Sequence, residues 1–195
     1  MRRSSSPQAN RGFRETLTLM RINQSLQLVI IQISLAVVAL LIGVLVYLLD
    51  RQADRIYFIP HWLAETITGD SFLGAISNHI PTFVHVFAFI LLTMAIVVPL
   101  QFYRRFLVPV CVFWFSIDSL FEIAQVDAIA HAIAAHAPGW FIGIPFLENT
   151  ADYFLTGTFD GLDLVSIGLA ALAAYYTVGT IYAQYTDHES GENNQ

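Results

Sequence analysis

LVIIQISLAVVALLIGVLVYLL, residues 28–49, carries no charged side chain. A helix rises 1.5 Å per residue, so about 20 residues cross the roughly 30 Å of hydrocarbon in a bilayer. A helix that is apolar on every face for that length has no water-facing side and needs an apolar surround. Three further tracts read the same way: residues 82–103, 106–126 and 162–183. Over the whole chain of 195 residues, 56% are hydrophobic and only 12% charged, against about 25% charged in a soluble domain. The mean hydropathy is +0.60. The expected fold is an all-α membrane protein, a bundle of four transmembrane helices.

The basic residues set the expected orientation. All 9 are arginines, and Arg2, Arg3, Arg11, Arg14 and Arg21 crowd the start of the chain, with Arg104 and Arg105 in the tight turn between the second and third tracts. The stretch that leads from the first tract into the first long loop holds only Arg51 and Arg55, and the second long loop none. By the positive-inside rule, the N-terminus and C-terminus are cytoplasmic and the two long loops, 56–81 and 127–161, external. Three segments follow: a polar, arginine-rich stretch at 1–27, a transmembrane domain at 28–185, and an acidic tail at 186–195. Within the first, residues 15–27 suit an interfacial helix after a disordered start. The tract 28–49 exceeds the 7–15 residue core of a secretory signal and is expected to stay as an anchor. The loops keep Trp62, Phe72, Trp140, Phe141, Phe146, Tyr153, Phe154 and Phe159, a composition suited to the headgroup layer. With a net charge of −6, nucleic acid is not an expected partner. The one cysteine, Cys111, lies in an apolar run and reads as a small buried hydrophobe.

Ionisable side chains inside a span cost about 2.5–3.5 kcal/mol each on insertion scales, so they face the bundle interior and mark function. In the third tract, Asp118, Glu122 and Gln125 are spaced four and three residues apart and share one helix face. His85 lies one turn into the second tract, and Asp160 and Asp163 open the fourth. All but the deeper Asp118 are expected at the external end, where they would form one polar site. Each has a plainer reading: His85 could snorkel to headgroups, and Asp160 could cap the fourth helix with Asp163 favoured by the helix dipole. Convergence is what favours a site. The fourth tract continues from Asp163 through Ser166, Ala170, Ala173, Ala174 and Thr177, a small face for close packing. His131 and His136, five residues apart, would lie on different faces of a helix and suit solvation better than a metal.

HVFAFILL around His85, SLFEIAQ around Glu122 and Gln125, and GTFDGLDLVSIGLAAL around Asp160 and Asp163 resemble the VanZ-like family of small bacterial integral membrane proteins. The resemblance covers residues 81–185. It implies a multi-pass protein of the bacterial inner membrane with a cell-envelope role, whose signature positions are His85, Glu122, Gln125 and Asp163, with Asp160 beside them. Thr82, Phe89 and Ile167 stand where the family commonly has lysine, tyrosine and asparagine, and its arginine after the Glu-x-x-Gln helix is missing. An acidic site without basic partners is the result.

Membrane lipids, including a lipid-linked envelope precursor, are the partners expected at such a site, with carboxylates accepting hydrogen bonds from amine or sugar hydroxyl groups. A membrane-embedded enzyme acting on the same lipid is the rival, with Glu122 or His85 as general base, although no nucleophile or oxyanion device accompanies it. A structural or assembly protein whose polar residues only lock helices together is the third reading. A divalent-cation site matches no ligand spacing, and a transport path through Asp118 lacks the repeats of known transporters. Cofactor and oligomeric state are not specified by the residues.

Overall fold

The computed structural model describes residues 7–50, 74–98, 102–144 and 147–192. Trp62, Phe72 and Phe146, together with Arg2, Arg3, Arg51 and Arg55, lie outside these. The described residues form helices and no strand: α1 (Pro7–Asp50), a 3₁₀ turn (Gly74–Asn78), α2 (Ile80–Ile96), α3 (Tyr103–Ile123), α4 (Asp127–Ala135), a second 3₁₀ turn (Gly139–Phe141), α5 (Thr150–Thr156) and α6 (Gly161–Glu192). Four segments are long and apolar enough to cross a membrane: Ser25–Val46, Ile76–Ile96, Tyr103–Ile123 and Gly161–Gln184.

The boundaries differ from the sequence expectation in five ways. The N-terminal stretch is continuous with the first span, because nothing between Pro7 and Asp50 breaks the helix. The second span begins earlier, with the 3₁₀ turn at Gly74–Asn78 feeding it and Pro81 in the first helical turn, where a missing N–H costs nothing. It ends at Ile96 rather than 103; Pro99 follows in the sequence and disfavours helical backbone before it. The third helix stops at Ile123, so Gln125 lies beyond its end. Helix α6 runs on to Glu192, through most of the acidic tail.

Packing follows side-chain size. Helix α1 lies on α2, and α2, α3 and α6 pack against one another. On α6, Ser166, Ile167, Ala170, Ala174 and Val178 are buried, so the small face at helical spacing is the one that meets the other helices, and short side chains let backbones approach. Ile167, Ala170, Ala174 and Val178 share one core with Val86, Ile90, Leu91 and Met94 of α2, all fully enclosed. Gly43 serves the same purpose on α1: a Cβ there would stand 3.1 Å from Val84 Cγ1. Trp114 of α3 donates its indole N–H to Thr93 Oγ1 of α2 at 2.9 Å. The outward faces carry exposed apolar residues such as Leu41, Val112, Leu169 and Leu172, a surface made for hydrocarbon rather than water. Cys111 is buried.

Within 127–144 and 147–161 the chain forms short helices and turns. Helix α5 is anchored to α3 by Phe154, which is buried and stacks on Phe121 at 6.0 Å. Trp140, Ile142, Tyr153 and Phe159 remain exposed. His131 and His136 each turn Nδ1 to the carbonyl four residues back, at 2.9 and 2.8 Å.

Candidate functional site

Three helix ends meet at one end of the bundle: the start of α2, the end of α3 and the start of α6. Chain direction dictates this, since α3 runs antiparallel to both neighbours it packs on. The meeting point gathers His79, Glu122, Asp160 and Asp163. His79 Nδ1 lies 2.8 Å from Asp163 Oδ1, and its Nε2 lies 3.9 Å from Asp160 Oδ2. The His79 carbonyl accepts both the Phe83 N–H at 3.0 Å, the first bond of α2, and the Ser166 hydroxyl at 2.9 Å. Buried Glu122 accepts the Asp160 backbone N–H at 2.7 Å. Asp160 Oδ1 in turn accepts the Leu162 N–H at 2.9 Å, the N-cap interaction that satisfies one of the free donors of α6.

Gln125 stands beside this network, over the link from α5 to α6. A Cβ at Gly157 would come within 2.8 Å of Gln125 Cδ, so glycine is what lets the link pass beneath that side chain. With Val126, Asp127, His131, Phe154 and Thr158, Gln125 lines a cavity of about 390 Å³. Tyr153, half of whose surface is exposed, has its phenol held above the usual range by partial desolvation, with the Glu122 and Asp118 charges adding to the effect. The field of these carboxylates therefore reaches α5.

His85 and Asp118 form a separate pair. His85 is six positions after His79, about 120° around α2, and therefore does not join the cluster at the helix ends. Its Nδ1 is 3.0 Å from Asp118 Oδ1. The imidazole packs edge-on against Phe89 at 4.3 Å, and Phe89 lies against Trp114 at 4.9 Å. The other Asp118 oxygen and the neighbouring Ser119 hydroxyl are buried with no hydrogen-bond partner among the described residues.

The six residues singled out from sequence thus divide. Glu122, Asp160 and Asp163 meet; Gln125 adjoins them; His85 and Asp118 pair elsewhere, although Asp118 and Glu122 share a helix face. The histidine within the cluster is His79, which sequence reasoning placed in a loop. Pro81 was the available signal: proline two positions on marks a helix start, which puts His79 at the helix end that must meet Asp160. Among the described residues, no three His, Cys, Asp or Glu side chains are arranged to hold a metal ion. No arginine adjoins the cluster among the described residues; Arg104 pairs instead with Tyr103 at the far end of α3, at 2.8 Å. Comparison with known protein families, curated proteins and solved structures finds no match.

Proposed function

We propose that the chain is a VanZ-like multi-pass protein of the bacterial inner membrane, and that the cluster at its helix ends binds the headgroup of a lipid or lipid-linked envelope precursor. The observation that carries this reading is the imbalance of charge. Three carboxylates, Glu122, Asp160 and Asp163, surround one imidazole, His79, at the end of a bundle of apolar helices. Placing carboxylates there is costly, and a ligand that brings an ammonium or several hydroxyl donors offsets the cost through charge-assisted hydrogen bonds. Gln125, with an acceptor and two donors, adds orientation from the side. The external position of this end rests on the arginine distribution.

Native mass spectrometry of the protein released from mild detergent tests the reading, comparing wild type with Glu122→Gln. The variant keeps an oxygen to accept the Asp160 N–H and removes the charge. Wild type is expected to retain an amine-bearing or glycosylated lipid, and Glu122→Gln to lose that preference at a melting temperature close to that of wild type. Identical lipids on both proteins would leave the cluster as a helix lock, the assembly reading. The membrane-enzyme reading draws on a different feature, the His85–Asp118 pair, whose second carboxylate oxygen has no partner among the described residues, and predicts lipid hydrolysis or transfer that His85→Gln abolishes.

A further inference from the structure

Helices α3 and α6 leave a groove of about 600 Å³ between them, lined by Val108, Val112 and Phe115 on one side and Val165, Leu169 and Leu172 on the other. Both helices are apolar enough to cross a membrane. Gly168 forms the floor: a Cβ there would meet only the Phe115 ring, at 3.8 Å, so the missing side chain opens space that no neighbour fills.

We infer that this groove holds one acyl chain of the lipid whose headgroup occupies the carboxylate cluster. The inference rests on the headgroup reading above and adds the class of ligand, a bilayer lipid of a single leaflet with an ammonium headgroup. Three features support it. The first is length: from Val165 to Tyr175, which line its two ends on α6, the groove runs about 15 Å at 1.5 Å per residue, half the roughly 30 Å of hydrocarbon. The second is continuity. On α3 the lining residues Val108, Cys111, Val112 and Phe115 continue through Ser119 to Glu122 at helical spacing, with Glu122 about 20° from the direction of Phe115 and two turns further along. Ser119, on that same line, has a buried hydroxyl with no partner among the described residues. The third is charge. The α3 wall leads up to the Glu122 carboxylate and, through the bond it accepts, to Asp160, which favours phosphatidylethanolamine over phosphatidylglycerol by its ammonium.

The full-length protein is reconstituted in vesicles of equal parts phosphatidylethanolamine and phosphatidylglycerol, with one or the other lipid carrying a diazirine at mid-chain. After illumination, labelled peptides are mapped by mass spectrometry. The ethanolamine probe is expected to label the segments around Phe115 and Leu169 about fivefold more than the glycerol probe, a difference of about 1 kcal/mol. Gly168→Phe fills the floor and should remove this labelling. Leu172→Trp, at an exposed groove position, does the same without entering the helix interface. In both variants, retention of dihexanoyl phosphatidylethanolamine in native mass spectra should be unchanged. Equal labelling by the two probes in wild type would overturn the inference, leaving only bulk lipid in the groove. So would ethanolamine labelling that survives both groove variants, and in that case continued loss of lipid preference in Glu122→Gln would keep the headgroup reading intact. Groove labelling that stays selective in Glu122→Gln would overturn the headgroup reading itself, and with it the link proposed here.

Discussion

Helix α2 carries two histidines, and each meets an aspartate across a helix interface, yet the two pairs are built differently. His79 sits where three helix ends converge, with 19% of its side chain exposed, and its network closes: imidazole to Asp163, carbonyl to Ser166, Glu122 to the Asp160 backbone, Asp160 to the α6 start. His85 sits further along, with 47% of its side chain exposed, and holds Asp118 by one contact, while the second carboxylate oxygen has no partner among the described residues. The same residue types therefore do different work. At helix ends, backbone donors are free and carboxylates find partners. Along the helix, backbone groups are already spent on each other, and a carboxylate must rely on side chains alone.

The largest expected contrast lies between removing one partner and removing both. His79→Phe alone should lower stability by about 3 kcal/mol, because it leaves Asp163 without its partner, whereas His79→Phe with Asp163→Leu, like His85→Phe with Asp118→Leu, should stay within about 1 kcal/mol of wild type. Thermal unfolding in mild detergent reads both, and equal losses would erase the distinction. Next comes Glu122→Ala, expected to cost about 1–3 kcal/mol by orphaning the Asp160 N–H; Glu122→Gln should recover most of it, and a Gln variant as unstable as Ala would show that charge rather than the accepted hydrogen bond holds the helix ends. Trp114→Phe removes the indole bond to Thr93 beside the His85 pair and should cost about 1 kcal/mol. The smallest effect is at Ser119: removing a buried hydroxyl that has no partner among the described residues by Ser119→Ala should raise the melting temperature slightly or leave it unchanged, by about 1 kcal/mol at most. A clear fall would mean that the hydroxyl has a partner after all.

Four apolar tracts were legible in the sequence because a span must be continuous and uncharged, a property that needs no neighbour to define it. The packing face of α6 was legible for a similar reason, since Ser166, Ala170 and Ala174 recur at the helix period and their small size declares the side on which backbones meet. The chemistry of Glu122, Asp160 and Asp163 as costly polar groups near helix ends was equally open to reading. Their partners were not. A stripe on one helix, Asp118 with Glu122, splits between two neighbours because α2 and α6 approach different parts of it. Which histidine joins the carboxylates depends on where α2 begins, and a 3₁₀ turn at Gly74–Asn78 moves that start so that His79 rather than His85 reaches Asp163. Sequence determined which segments leave water and which residues are expensive to take along, since both follow from transfer energies of single side chains. Tertiary structure alone decided which of those residues satisfy one another, because hydrogen bonds form only within about 3 Å and that distance is set by helix ends, crossing and depth.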